Sequence, residues 1–147
     1  MNRAWCSFLP AAIFLLVSCS GRNTATAVAG HVDPSQQIQK IPPADPRSYS
    51  HLRDMKNWRN PYLVIHKDGA GLLDVGNNEE RLLKPEELPA ALAGLPASAW
   101  PYGRVVAVQE IGLHGSQEDE IALRRSRALV AGTLEECHVL INWVPSS

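Results

Sequence analysis

The residue order predicts an α+β two-layer sandwich, β-β-α-β-α-β, with two helices on one face of a four-stranded mixed sheet. Three observations lead there. Two β-rich runs flank the turn dipeptide Asp68-Gly69. The run from Arg104 to Ile111 is apolar on both faces at its start, as a central strand is. Two later stretches, 85–95 and 116–137, carry apolar residues at helical spacing.

The first strand is Tyr62-Leu63-Val64-Ile65-His66, rich in β-branched and aromatic side chains. Lys67-Asp68-Gly69-Ala70 turns the chain, Gly71 to Val75 returns it, and Gly76-Asn77-Asn78 opens a loop. Pro85 suits a first helical position, and Glu86 and Glu87 sit where the helix dipole favours acids. Leu88, Ala91, Leu92 and Leu95 make one apolar stripe; Pro89 delays the regular helix by a turn, and Gly94 and Pro96 end it. Arg104 to Ile111 follows as the central strand.

Ser116 with Asp119 three residues on forms a capping box, and Glu118 to Glu120 load the new helix with acid at its positive end. Ala122, Leu123, Ser126, Leu129, Val130, Thr133, Leu134 and Cys137 fall on one helical face, while Arg124, Arg125 and Arg127 point largely away from it. His138 to Val144 is the last strand, stopped by Pro145.

Upstream of this domain, which is expected over 60–147, the chain changes character. Residues 19–59 are rich in Ser, Thr, Ala, Gln and Pro, with Ile41-Pro42-Pro43-Ala44-Asp45-Pro46 an extended, polyproline-like piece. So little apolar surface cannot offset ordering entropy, so a flexible tether is expected. Leu52, Met55 and Trp58 have helical spacing and could dock a short helix on the domain.

Residues 1–18 read as a secretory signal. Arg3 is the only charge before Arg22, and an apolar run extends from Phe8 to Val17, interrupted by Pro10. The run is shorter than the roughly 20 residues that a membrane-spanning helix needs. Leu16-Val17-Ser18-Cys19 resembles the bacterial lipobox. The resemblance implies S-diacylglyceryl modification of Cys19, cleavage before it and N-acylation of the new amine. Two or three acyl chains anchor stably where one does not. Ser20 rather than Asp follows the cysteine. In a Gram-negative cell the resemblance then implies the outer membrane, facing the periplasm.

The order of elements is similar to the periplasmic domain of the ExbD and TolR proteins, as is the string Trp100-Pro101-Tyr102-Gly103-Arg104-Val105-Val106. That family carries a membrane-spanning helix with a key acid, where this chain has a signal. Its similar string also leads into a helix, where a strand is expected here. The resemblance therefore implies a small periplasmic binding module and no energy-coupling role.

Composition narrows the function further. Of 14 Lys and Arg only Arg3 lies in the signal, so the remainder nearly balances 15 Asp and Glu. A nucleic-acid partner, which calls for a concentrated basic face, is not expected. Cys6 leaves with the signal and Cys19 is lipidated, so Cys137 is expected as a lone cysteine, buried at a helix end. No Gly-rich phosphate loop, nucleophile elbow or paired-acid constellation occurs in the sequence, and neither a cofactor nor a metal is expected.

The candidate site residues each have two readings. His66 and Asp68 could serve as base and orienting acid, or Asp68 could simply support the turn. His114 and Glu118 have the four-residue spacing of two metal ligands on a helix, but His114 precedes the cap and no third ligand is near. Arg124, Arg125 and Arg127 could meet anionic headgroups or a glycan carboxylate, or form a solvated face paired with Glu118, Asp119 and Glu120. Trp100 and Tyr102 could be an exposed contact patch or a loop packed over the sheet edge. The expected function is a non-enzymatic envelope lipoprotein contacting an envelope protein or peptidoglycan. The rivals are a small hydrolase or metal-dependent enzyme using His66, Asp68 or His114, and a structural protein self-associating through an open sheet edge.

Overall fold

In the computed structural model the described residues are 32–52, 55–74, 79–111 and 115–145. The signal, Cys19, Gly76-Asn77-Asn78 and His114 lie outside them. The elements are α1 (Pro34–Ile38), β1 (Tyr62–His66), β2 (Gly69–Asp74), β3 (Glu79–Leu83), α2 (Leu88–Ala93), β4 (Val105–Glu110), α3 (Gln117–Glu136) and β5 (Leu140–Val144). Short 3-10 turns cover Pro46–Ser48, Met55–Asn57, Pro85–Glu87 and Ala97–Ala99.

The sheet has five strands, in the order β3-β2-β1-β4-β5, and not four. β1 pairs antiparallel with β2 through the expected turn, and β2 pairs antiparallel with β3. β4 lies parallel between β1 and β5, so the doubly apolar run is a central strand. The additional strand, β3, reads Glu-Glu-Arg-Leu-Leu and alternates poorly. It is an outer strand, where one edge faces water and charges are tolerated.

The helices stand on one face. Ile38 from α1, Leu88 and Leu92 from α2, and Leu123, Val130, Leu134 and Cys137 from α3 pack on Leu63, Ile65, Leu72, Val106 and Val108. α2 begins at Leu88, after a 3-10 turn opened by Pro85, as Pro89 leads one to expect. The capping box of α3 is formed: Ser116 Oγ accepts from the Asp119 N–H at 3.2 Å, and the Asp119 carboxylate accepts from the Ser116 N–H at 3.4 Å.

The opposite face overturns part of the expected layout. Tyr49 and Trp58 are buried there against Tyr62, Val105 and Ala107, with Leu52, Met55 and Tyr102 packed around them. Described residues upstream of 60, among them Ile38, Tyr49 and Trp58, are thus packed in the core, within the stretch 19–59 that was expected to be a tether. The segment offers few apolar residues, but nearly all of its large ones are used. Ile38 is fully buried and Trp58 is 2 % exposed. The Trp58 indole also donates to the Pro61 carbonyl at 3.2 Å.

Two further contacts fasten this segment. The Arg104 N–H donates to the Pro42 carbonyl at 2.9 Å. Gly103 has φ 78° and lies so close to the Pro43 carbonyl that a Cβ would overlap it. Only glycine satisfies both the backbone and the space.

Candidate functional site

Asn60 fixes the loop that joins the two faces. It is 1 % exposed, and both ends of its amide are hydrogen-bonded. Nδ2 donates to the Gly103 and Val105 carbonyls at 2.7 and 2.8 Å, and Oδ1 accepts from the Tyr102 N–H at 2.9 Å. This holds Tyr102 against the ring of Trp58, centroid to centroid 5.3 Å. Trp100, in contrast, is 4 % exposed and part of the helix-side core. The proposed Trp100–Tyr102 contact patch is thus corrected: Trp100 is buried, and Tyr102 is half-buried in an aromatic cover with Tyr49 and Trp58.

Of the two readings of His66 and Asp68, the structure favours the one in which Asp68 supports the turn. Asp68 lies in the hairpin turn, and His66 Nε2 pairs with the Glu80 carboxylate of β3 instead. Glycine at 71 makes this reach possible, because a Cβ there would overlap the Glu80 side chain as it crosses β2. His66 thus ties β1 to β3 across the intervening strand. Among the described residues, no group of three or more His, Cys, Asp or Glu could hold a metal.

The arginines of α3 separate. Arg124 pairs with Glu120 one turn earlier at 3.1 Å, the solvated helix pairing expected for it. Arg125 is exposed. Arg127 turns toward the sheet. Its guanidinium donates to Glu110 at 2.6 Å and lies 4.3 Å from the centre of the Trp143 ring. Such stacking orients both groups and keeps an exposed indole in a fixed pose.

This arrangement borders a shallow groove of about 680 Å³ along the outer side of β5. Ala131 and Glu135 of α3 and Leu140, Ile141 and Trp143 of β5 line it. Leu140 is 49 % exposed and Trp143 41 % exposed. Sequence reasoning did not single out Trp143. The available signal was an uncharged strand, Leu-Ile-Asn-Trp-Val, at the end of the domain.

The remaining candidate, Cys137, is 2 % exposed at the end of α3, near Ser35 Oγ at 3.7 Å. Burial is the main cause that pushes its thiol up from the ordinary range. A neutral, covered thiol is a packing group and not a nucleophile.

No family model, curated protein or solved structure matches the chain. Among the described residues no helix is long and apolar enough to cross a membrane.

Proposed function

We propose that the chain is a lipid-anchored envelope protein, held by acylated Cys19, whose folded unit is a non-enzymatic contact module. The observation that carries the anchor is the string Leu16-Val17-Ser18-Cys19 at the end of a short apolar run. The acyl chains place the module on a membrane, in a Gram-negative cell the outer membrane facing the periplasm. The link between Cys19 and Val32, fully extended, would span at most about 45 Å. That reach is shorter than a tether running to residue 59 would give.

The α3–β5 flank is the contact surface in this reading. It combines an exposed indole held by an arginine, a free strand edge and an apolar groove. Exposed apolar surface of this kind, rimmed by charge, marks contact sites on proteins. An envelope protein, or the peptidoglycan, is the class of partner in reach. The pairing of His66 with Glu80 draws His66 away from the His66–Asp68 version of the rival enzyme reading.

Fractionation tests the anchor. The wild-type chain should stay in the membrane pellet through a carbonate wash and leave it with detergent. Cys19→Ala should appear in the soluble fraction or accumulate with its signal uncleaved. Wild-type protein washed free without detergent would refute the reading.

A further inference from the structure

We propose that the α3–β5 flank joins two copies of this chain, with β5 paired antiparallel to β5 about a twofold axis at Asn142. The proposal rests on reading this flank as the contact surface and is independent of the lipid anchor.

The two sheet edges differ. β3 presents Glu79, Glu80 and Arg81, charges of the kind that discourage further pairing. β5 has no charge and no proline within Leu140–Val144. An uncharged, apolar edge strand is a template for another strand.

The backbone selects the register. The Leu140 N–H donates inward to the Arg104 carbonyl of the neighbouring chain segment at 2.9 Å. Directions alternate along a strand, so Ile141 and Trp143 turn their N–H and C=O groups toward the free edge. A twofold axis at Asn142 sets Ile141 of one copy opposite Trp143 of the other. Every outward group of those two residues then finds a partner. An axis at Ile141 or at Trp143 would leave part of them unpaired within the strand.

The side chains agree with the same register. On the helix face Ile141 meets Trp143 of the second copy, an aromatic and β-branched pair that stabilises sheets. These side chains enter the groove beside β5. On the other face Leu140 meets Val144, and Asn142 meets itself.

Charge agrees as well. Arg127, Ala131 and Glu135 follow one another at four-residue spacing on α3. α3 returns into β5 through a three-residue connection, so the axis that reverses β5 also reverses α3. Arg127 of one copy then confronts Glu135 of the other, with Ala131 leaving room at the axis. Strand, backbone and charge are thus each complementary to themselves, which identifies the partner as a second copy.

The test uses the full-length chain in its membrane. In this register Asn142 occupies a non-hydrogen-bonded pair with a Cα separation of about 4.5 Å, within disulfide reach. Asn142→Cys should give a cross-linked dimer on mild oxidation. Leu140→Cys should not, because its symmetry mate lies about 13 Å away along the strand. Leu82→Cys, on the opposite edge, gives the collision background. Trp143→Glu in the Asn142→Cys chain should reduce the dimer at least tenfold.

Sedimentation of the unmodified chain in detergent decides the matter if a cysteine variant misfolds: a dimer is expected at micromolar concentration. Cross-linking at 142 no higher than at 82, or a monomer at tens of micromolar, overturns the proposal. If the chain is monomeric and Trp143→Glu still abolishes cross-linking to another envelope component, self-pairing fails while the contact-surface reading stands.

Discussion

At the scale of single residues, His138 shows how local chemistry sets stability. It has φ 56°, the left-handed region that glycine favours. It sits one residue past the cap of α3, where its N–H donates to the Glu135 carbonyl at 2.8 Å and the Val139 N–H to Leu134 at 2.9 Å. This is the Schellman arrangement, usually built on glycine. His138→Gly should therefore stabilise the fold by about 1 kcal/mol, read as a higher urea midpoint with unchanged slope. Cys137, next to it, should resist an uncharged thiol reagent in the folded chain and react within minutes in urea. The sign of its pH effect follows from burial. The folded thiol titrates above its unfolded value, so the associated stability is complete below about pH 8.5 and declines as pH rises through the folded value. Asn60 was not legible beforehand, because an asparagine before a strand reads as turn chemistry. Its role comes from two carbonyls and one N–H, all more than forty residues away.

At the scale of elements, signals contained within one stretch of chain were the readable ones. The β1–β2 hairpin follows from Asp68-Gly69 between β-rich runs. α3 follows from its cap and its apolar stripe, although Leu129 on that stripe is 51 % exposed. β3 was missed because Glu79-Glu80-Arg81 has no alternation to read; its pairing with β2 supplies what its residues do not. α1 was missed because a five-residue helix is too short to show a stripe and buries only Ile38. The cap of α3 makes a pH prediction. The Ser116 hydroxyl, and then Lys67, hold the Asp119 carboxyl below the usual carboxylate range. A folded value below the unfolded one means stability that is present above about pH 4 and lost as pH falls through the folded value. Asp119→Asn should lower stability at pH 7 and flatten the acid side of the stability curve. An unchanged acid limb would show that the cap carries no such linkage.

At the scale of the whole molecule, both sheet faces are covered, one by three helices and the other in part by Ala44, Tyr49, Leu52, Met55 and Trp58. Composition suggested a tether for that segment, because apolar residues there are few. What composition does not record is that Ile38, Tyr49 and Trp58 are each buried, Ile38 in the helix-side core and Tyr49 and Trp58 against the other face of the sheet. Ile38→Ala should then cost about 2–4 kcal/mol in chemical denaturation. A true tether residue would cost nothing. The site was partly legible: Arg127 was singled out, but its partners Glu110 and Trp143 come from two parallel strands whose adjacency is a tertiary fact.

Lipid attachment at Cys19 underlies the whole reading of the chain, and metabolic labelling with a palmitate analogue reads it out. Strong label is expected on the wild-type chain and none on Cys19→Ala. Equal labelling of the two would contradict it.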